Sequence, residues 1–97
     1  MAIAVLEEIP GLTREQYEAG VRHVYADGTP AGVLFHAGGP TESGYRIVEV
    51  WATQEAYDAF LHTAALSAAT ATLTTQPKRT TWPIHGLDDG AGWRKVG

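Results

Sequence analysis

The 97-residue chain contains no cysteine. No disulfide can brace it, and no thiolate is present to hold a metal. Its four histidines, His23, His36, His62 and His85, include no short-spaced pair, so the usual sequence pattern of a zinc site is missing. Positive charge is scarce as well, with seven Lys and Arg against eleven Asp and Glu and a net charge of −4. That balance speaks against binding to a phosphate backbone. Lys78, Arg79, Arg94 and Lys95 gather near the C-terminus, but as two pairs they make no nucleic-acid stripe. No apolar run approaches the roughly 20 residues of a membrane span. The N-terminal MAIAVLEEIPG has no basic start and reaches Glu7 too soon for a signal peptide. These absences indicate a soluble cytoplasmic protein with neither nucleic acid nor membrane as partner.

What is present is a globular composition, with 44% hydrophobic and 19% charged residues. The length allows one domain, and a chain this short is thinly stabilised unless a disulfide, a metal or a partner subunit adds to its core. Ala2 to Ile9 form an apolar run of strand length closed by Pro10-Gly11. Thr13-Arg14-Glu15-Gln16 fits the capping box that opens a helix. Tyr17, Val21, Val24 and Tyr25 then recur on one helical face. A strand over residues 32–37, a turn cluster over 38–44 and a strand from Tyr45 to Trp51 read as a hairpin. Both faces of the second strand are apolar, which suggests that both are covered. A second helix starts at Thr53 and runs to Pro77, weakened in its second half by threonines. Lys78 to His85 read as a last strand, with Pro83 marking an edge or bulge. Residues 1–86 make the domain, and the glycine-bearing stretch 87–97 reads as a loosely held tail.

The order β-α-β-β-α-β predicts an α+β, ferredoxin-like domain: a four-stranded antiparallel sheet with two helices on one face. The helices cover only that face. A second copy of the sheet would cover the other, so a homodimer is expected.

The segment Val48 to Tyr57, with Glu49-Val50-Trp51 followed by a polar step and an apolar helix start, resembles the antibiotic-biosynthesis-monooxygenase branch of the dimeric α+β barrel superfamily. The G-x-L-F-H-x-x-G-P-T hairpin from Gly32 to Thr41 and the P-x-H of Pro83-Ile84-His85 are similar to those of small, uncharacterised actinobacterial barrel proteins. The resemblance covers roughly residues 2–86. It implies a pocket for a small apolar or aromatic molecule and, in one branch, cofactor-independent oxygenation. That branch usually carries a histidine in the helix after the tryptophan, where this chain has Phe60 and Ala65. A haem-ligating role is therefore not implied.

His36 and His85 each end a strand in apolar surroundings. An imidazole there can serve as a general base, or simply hydrogen-bond a carbonyl. The resemblance favours Trp51 as pocket lining, although a strand tryptophan is equally a core residue. Tyr45, Tyr57, Phe35, Phe60 and Trp82, together with Tyr17 and Tyr25, supply aromatic surface that could line the pocket or merely fill the core. Glu49 shares a face with Trp51 and, if buried, needs a partner: Arg46 of a second subunit, Arg79 or a histidine. A structural ion pair is the reading for it. Gly38-Gly39 follows no phosphate-binding pattern. The expected activity is oxygenation of an aromatic or polyketide-like metabolite without metal or flavin. The alternatives are a non-catalytic ligand-binding or structural homodimer, and a cyclase or isomerase using the same pocket.

Overall fold

The computed structural model describes all 97 residues, Met1 to Gly97. Strand β1 (Ile3–Pro10) leads into helix α1 (Arg14–Val24), and the hairpin of β2 (Val33–Thr41) and β3 (Gly44–Trp51) follows. Helices α2 (Gln54–Phe60) and α3 (Ala64–Thr70), strand β4 (Lys78–Pro83) and a terminal hairpin of β5 (Gly86–Asp88) and β6 (Trp93–Lys95) complete the chain. The main sheet is antiparallel with strand order β2-β3-β1-β4. This is the α+β, ferredoxin-like arrangement. No helix is long and apolar enough to cross a membrane.

Local chemistry explains most boundaries. The capping box at Thr13 is complete: its hydroxyl accepts from the Gln16 backbone N–H, and the Gln16 side chain accepts from the Thr13 N–H. The second helix is broken into two, contrary to the continuous one expected. Thr63 causes the break, since its hydroxyl bonds the Phe60 carbonyl and also accepts from the N–H of Leu66, capping a new helix. Gly20 of α1 faces Ala69 of α3, and these small residues let the two helices approach closely. The last strand stops at Pro83 rather than His85, and the expected loose tail is a two-stranded hairpin. Strand β2 runs on through Gly38-Gly39-Pro40 to Thr41, so the turn is tighter than the 38–44 cluster suggested.

A bulge in β2 brings Val33 onto the face of His36. Val33 pairs with Trp51 and Phe35 with Val50, which leaves Leu34 as an extra residue. Strict alternation would put Val33 and His36 on opposite faces. The added residue rephases the strand, so both face the helices.

Along the helix side, the register places four rows across the sheet: Val33-Trp51-Ile3-Pro83, His36-Glu49-Val5-Thr81, Gly38-Ile47-Glu7-Arg79, and Pro40-Tyr45-Ile9. The core divides accordingly. At one end Ile3, Val5, Trp51 and Tyr57 pack with Val33, Ala56, Phe60 and Leu61. At the other, Ile9, Leu12, Tyr45 and Ile47 pack with Tyr17 and Leu73. Leu6, Phe35, Val48 and Trp82 lie on the opposite, helix-free face, where Phe35 and Trp82 remain 37% and 43% exposed.

Tyr57 sits against Trp51, ring centroids 5.6 Å apart. Burial foremost pushes its phenol up to about 12, with Arg79 opposing and nearby carboxylates reinforcing the shift. Folding thus favours the neutral phenol. Its contribution to stability is complete below pH about 10, the ordinary tyrosine value, and is lost as pH rises through about 12. Denaturant midpoints should therefore fall between pH about 10 and 12. Tyr57→Phe should make that fall shallower, and an unchanged slope would contradict the assignment.

Candidate active site

Between sheet and helices lies a cavity of about 90 Å³. Each of the four main strands places one ionisable side chain on it: His36 from β2, Glu49 from β3, Glu7 from β1 and Arg79 from β4. Otherwise the walls are largely apolar, with Ile9, Val21, Ile47 and Phe60 among them.

His36 stands at the centre of a hydrogen-bonded chain. Its Nδ1 lies 3.2 Å from Glu49 Oε2, and its Nε2 lies 2.7 Å from the Tyr17 hydroxyl. The second Glu49 oxygen accepts from the Trp51 indole N–H at 3.3 Å. A carboxylate can only accept, so Nδ1 carries the proton towards Glu49, and in the neutral form of the ring this leaves the Nε2 lone pair to Tyr17. Burial first, then Tyr25, Tyr45 and Glu49, push the Tyr17 phenol upward. Tyr17 consequently keeps its proton at neutral pH and can donate it to Nε2 of the neutral ring. Tyr25 meets the imidazole edge-on at 5.9 Å, and Tyr17 lies end to end with it, ring planes 18° apart and centroids 6.0 Å apart. The ring is therefore held at both nitrogens, with His36 lining the cavity.

Across the cavity, Arg79 Nε donates to Glu7 Oε2. Burial alone would lower the guanidinium's pKa, but the hydrogen bond and charge of Glu7, with Tyr57 and Glu49, outweigh it and the net shift is upward. No group of three or more His, Asp or Glu side chains is clustered as metal ligands would be.

The expected site residues separate in space. His36 and Phe60 line the cavity. Trp51, Tyr45 and Tyr57 are buried in the two core clusters beside it, Trp51 completely. Trp51 still reaches the site through Glu49, and Tyr45 through its stacking on Tyr17, centroids 5.0 Å apart. Phe35 and Trp82 point to the helix-free face, because their positions alternate with His36 and Thr81. His85 is exposed between β4 and β5, away from the cavity lining, so the two histidines do not meet.

Glu49 is paired to a histidine, one of the partners its burial called for. Glu7 and Arg79 were not expected as site residues, and Tyr17 had only been counted as aromatic surface. One signal points to the His36–Glu49 contact: a turn centred on Glu42-Ser43 puts residue 36 opposite residue 49.

No protein-family model matches the chain, and no curated protein matches its sequence. Solved structures share its fold. A protein named as a candidate antibiotic biosynthesis monooxygenase from Caulobacter crescentus is 18% identical, with a TM-score of 0.67 over 84% of this chain and 87% of its own. One of the same description from Deinococcus radiodurans is 18% identical, with a TM-score of 0.65 over 95% and 100%. SnoaB, a cofactor-independent oxygenase from Streptomyces nogalater, is 13% identical, with a TM-score of 0.64 over 86% and 91%. At these identities the likeness is one of fold.

Gly38 makes the Tyr17–His36 contact possible. A Cβ at this position would lie 2.5 Å from the Tyr17 hydroxyl oxygen and against its ring. Gly38→Ala should push the phenol off Nε2. The expected cost is about 1 kcal/mol, the net worth of one hydrogen bond. Nitrogen NMR of the His36 ring should show Nε2 losing its donor, as in Tyr17→Phe. An unaltered Nε2 signal would show that the strand yields instead.

Proposed function

We propose that the chain binds a small phenolic molecule in this cavity and oxygenates it without metal or flavin, with His36 as the general base. One observation carries the reading: a cavity-lining imidazole held through Nδ1 by a buried carboxylate, whose neutral form keeps a lone pair on Nε2. The Tyr17 hydroxyl now on that lone pair marks where a substrate hydroxyl would sit. The fold shared with SnoaB, an oxygenase that uses no cofactor, supports the same chemistry.

Transfer of the phenolic proton to Nε2 leaves a phenolate, electron-rich enough to reduce dioxygen. Glu49 stabilises the imidazolium that forms, and the apolar walls keep water from the reacting ring. The overall change balances with no external reductant. A phenol with a free para position plus one O₂ gives the quinone plus one water: one oxygen atom enters the ring, and the other leaves with the two hydrogens lost.

Oxygen uptake should therefore accompany quinone absorbance when the protein meets such a phenol. His36→Gln, which keeps a donor for Glu49, should lower the rate by roughly 10²–10⁴, the usual share of a general base. Glu49→Gln should lower it less. Turnover without oxygen uptake would point to an isomerase or cyclase, and binding without turnover to a ligand carrier. Either outcome would overturn oxygenation.

The same reading takes the working unit to be a homodimer formed through the helix-free sheet face. Leu6, Phe35, Val48 and Trp82 form an apolar surface there, and Glu8 and Arg46 pair beside it at 3.3 Å. A single chain leaves Phe35 and Trp82 exposed and Leu6 and Val48 partly so. Sedimentation should give twice the mass of one chain, and Val48→Lys should return it to the single mass. A wild-type monomer would overturn this part.

A further inference from the structure

We infer that the substrate is a single-ring phenol bearing a short chain that ends in a carboxylate, with Arg79 holding the carboxylate at the junction of two cavities. The inference rests on the reading of His36 as the base at the opposite end.

The first ground is size. About 90 Å³ is on the order of a single ring and cannot enclose a fused tricycle. The second is continuity. A further cavity of about 390 Å³ opens between α3, the segment 71–77 and β4. The two share Leu66, Thr70, Leu73, Pro77 and Arg79 as walls. A ligand whose ring fills the inner cavity therefore passes Arg79 on its way into the outer one.

The third ground is charge. Arg79 is the sole charged residue on the outer cavity, which no carboxylate lines. Its Nε is engaged by Glu7, whereas its two Nη groups donate to nothing in the protein. The edge between the Nη groups is the one that grips a carboxylate with two parallel bonds. Around it the hydroxyls of Thr70 and Thr75 already serve the carbonyls of Leu66 and Pro10. Ser67, Thr74 and Gln76 are left to meet a polar ligand end.

The fourth ground is span. His36 on β2 and Arg79 on β4 stand on the two edge strands, three strand spacings or roughly 14 Å of backbone apart. Once an imidazole and an extended guanidinium reach inward, the gap fits a ring with a chain of two or three atoms. The proposed oxygenation is unchanged by the tail, provided the position para to the hydroxyl is free.

Titration calorimetry with 3-(3-hydroxyphenyl)propionate and with its neutral analogue 3-propylphenol tests this. The acid should bind at least about tenfold more tightly, as expected for a charge-assisted bidentate contact. Arg79→Gln should bring the ratio close to one, and Arg79→Lys should keep part of it. Thr74→Glu, which leaves the Glu7–Arg79 pair intact, should cut the preference by a similar factor and covers the case of an unfolded Arg79 variant. A ratio near one in the wild type, a ratio unmoved by these substitutions, or no binding of either probe at millimolar concentration would overturn the inference. His36→Gln should retain the preference for the acid. Loss of oxygen uptake in that variant with the preference kept, or a wild type that prefers the acid but takes up no oxygen, separates the fate of the base from that of the carboxylate site.

Discussion

A carboxylate in the middle of a small core dictates much of this molecule. Glu49 is 9% exposed and sits on a central strand, flanked along its own face by Ile47 and Trp51. An unpaired carboxylate there would cost several kcal/mol or force the group to hold its proton. Both oxygens are instead given donors, one by the imidazole of His36 and one by the indole of Trp51. Each donor has its own structural requirement. The indole must lie two residues along the same strand, and the imidazole must come from the neighbouring strand in register. The tight turn after Thr41 is what places it there, and the bulge at Leu34 returns Val33 to the same face. The acid that burdens the core is thus also what fixes the histidine.

The same logic extends across the sheet. Glu7 and Arg79 form an ion pair on the helix side, one row from the Glu49–His36 hydrogen bond. The apolar core is consequently two clusters, with a polar band between them. A helix packed flat on such a band would strand the charges. Gly38 lets Tyr17 of α1 lie down onto His36, while the small residues Gly20 and Ala69 hold α1 and α3 together above the gap. The broken second helix belongs to this arrangement. Its first half, with Tyr57 and Phe60, packs at the Trp51 end. Its second half turns at Thr63 to meet α1, which leaves the space that becomes the cavity. The site is a place where core packing was interrupted, and the interruption is built into each element.

How much of this can be read from the chain depends on whether the signal is local. The strand and helix order, the capping box at Thr13 and the helix start at Thr53 are local, and they are where the residues put them. The sheet order follows from the element order and handedness. Register is different, because it depends on the turn. Glu42-Ser43 carries none of the Asn-Gly or leading-glycine marks of a two-residue hairpin loop, whereas Gly38-Gly39-Pro40 looks like a turn and is strand. With the turn misplaced, His36 cannot be seen to face Glu49. The bulge compounds this, since alternation counted from Val33 sends His36 to the wrong side and Phe35 to the pocket. Trp82, an aromatic that could line the pocket on residue type, falls on the other face because it alternates with Thr81. Arg79 and Glu7 were hidden because they meet across 72 positions of sequence. Thr63 was the missed local signal: a threonine whose hydroxyl can serve the backbone on both sides of a break.

The two faces of the sheet are coupled by the strands they share. Only 12 of the 97 residues are buried in a single chain, so little apolar packing is available to offset a polar band. β1 and β3 carry Val5, Ile47 and Glu49 on the helix side, and their intervening residues Leu6, Val48 and Val50 face the other way. Covering Leu6 and Val48 with a second sheet would add burial directly behind the rows that hold His36, Glu49, Glu7 and Arg79. It would also resist any slip of β3 against β1, and a slip of one residue would turn Glu49 away from His36. In a dimer, the apolar side would therefore hold the register on which the polar side depends. That would give the helix-free face a part in the proposed chemistry without any of its residues entering the cavity.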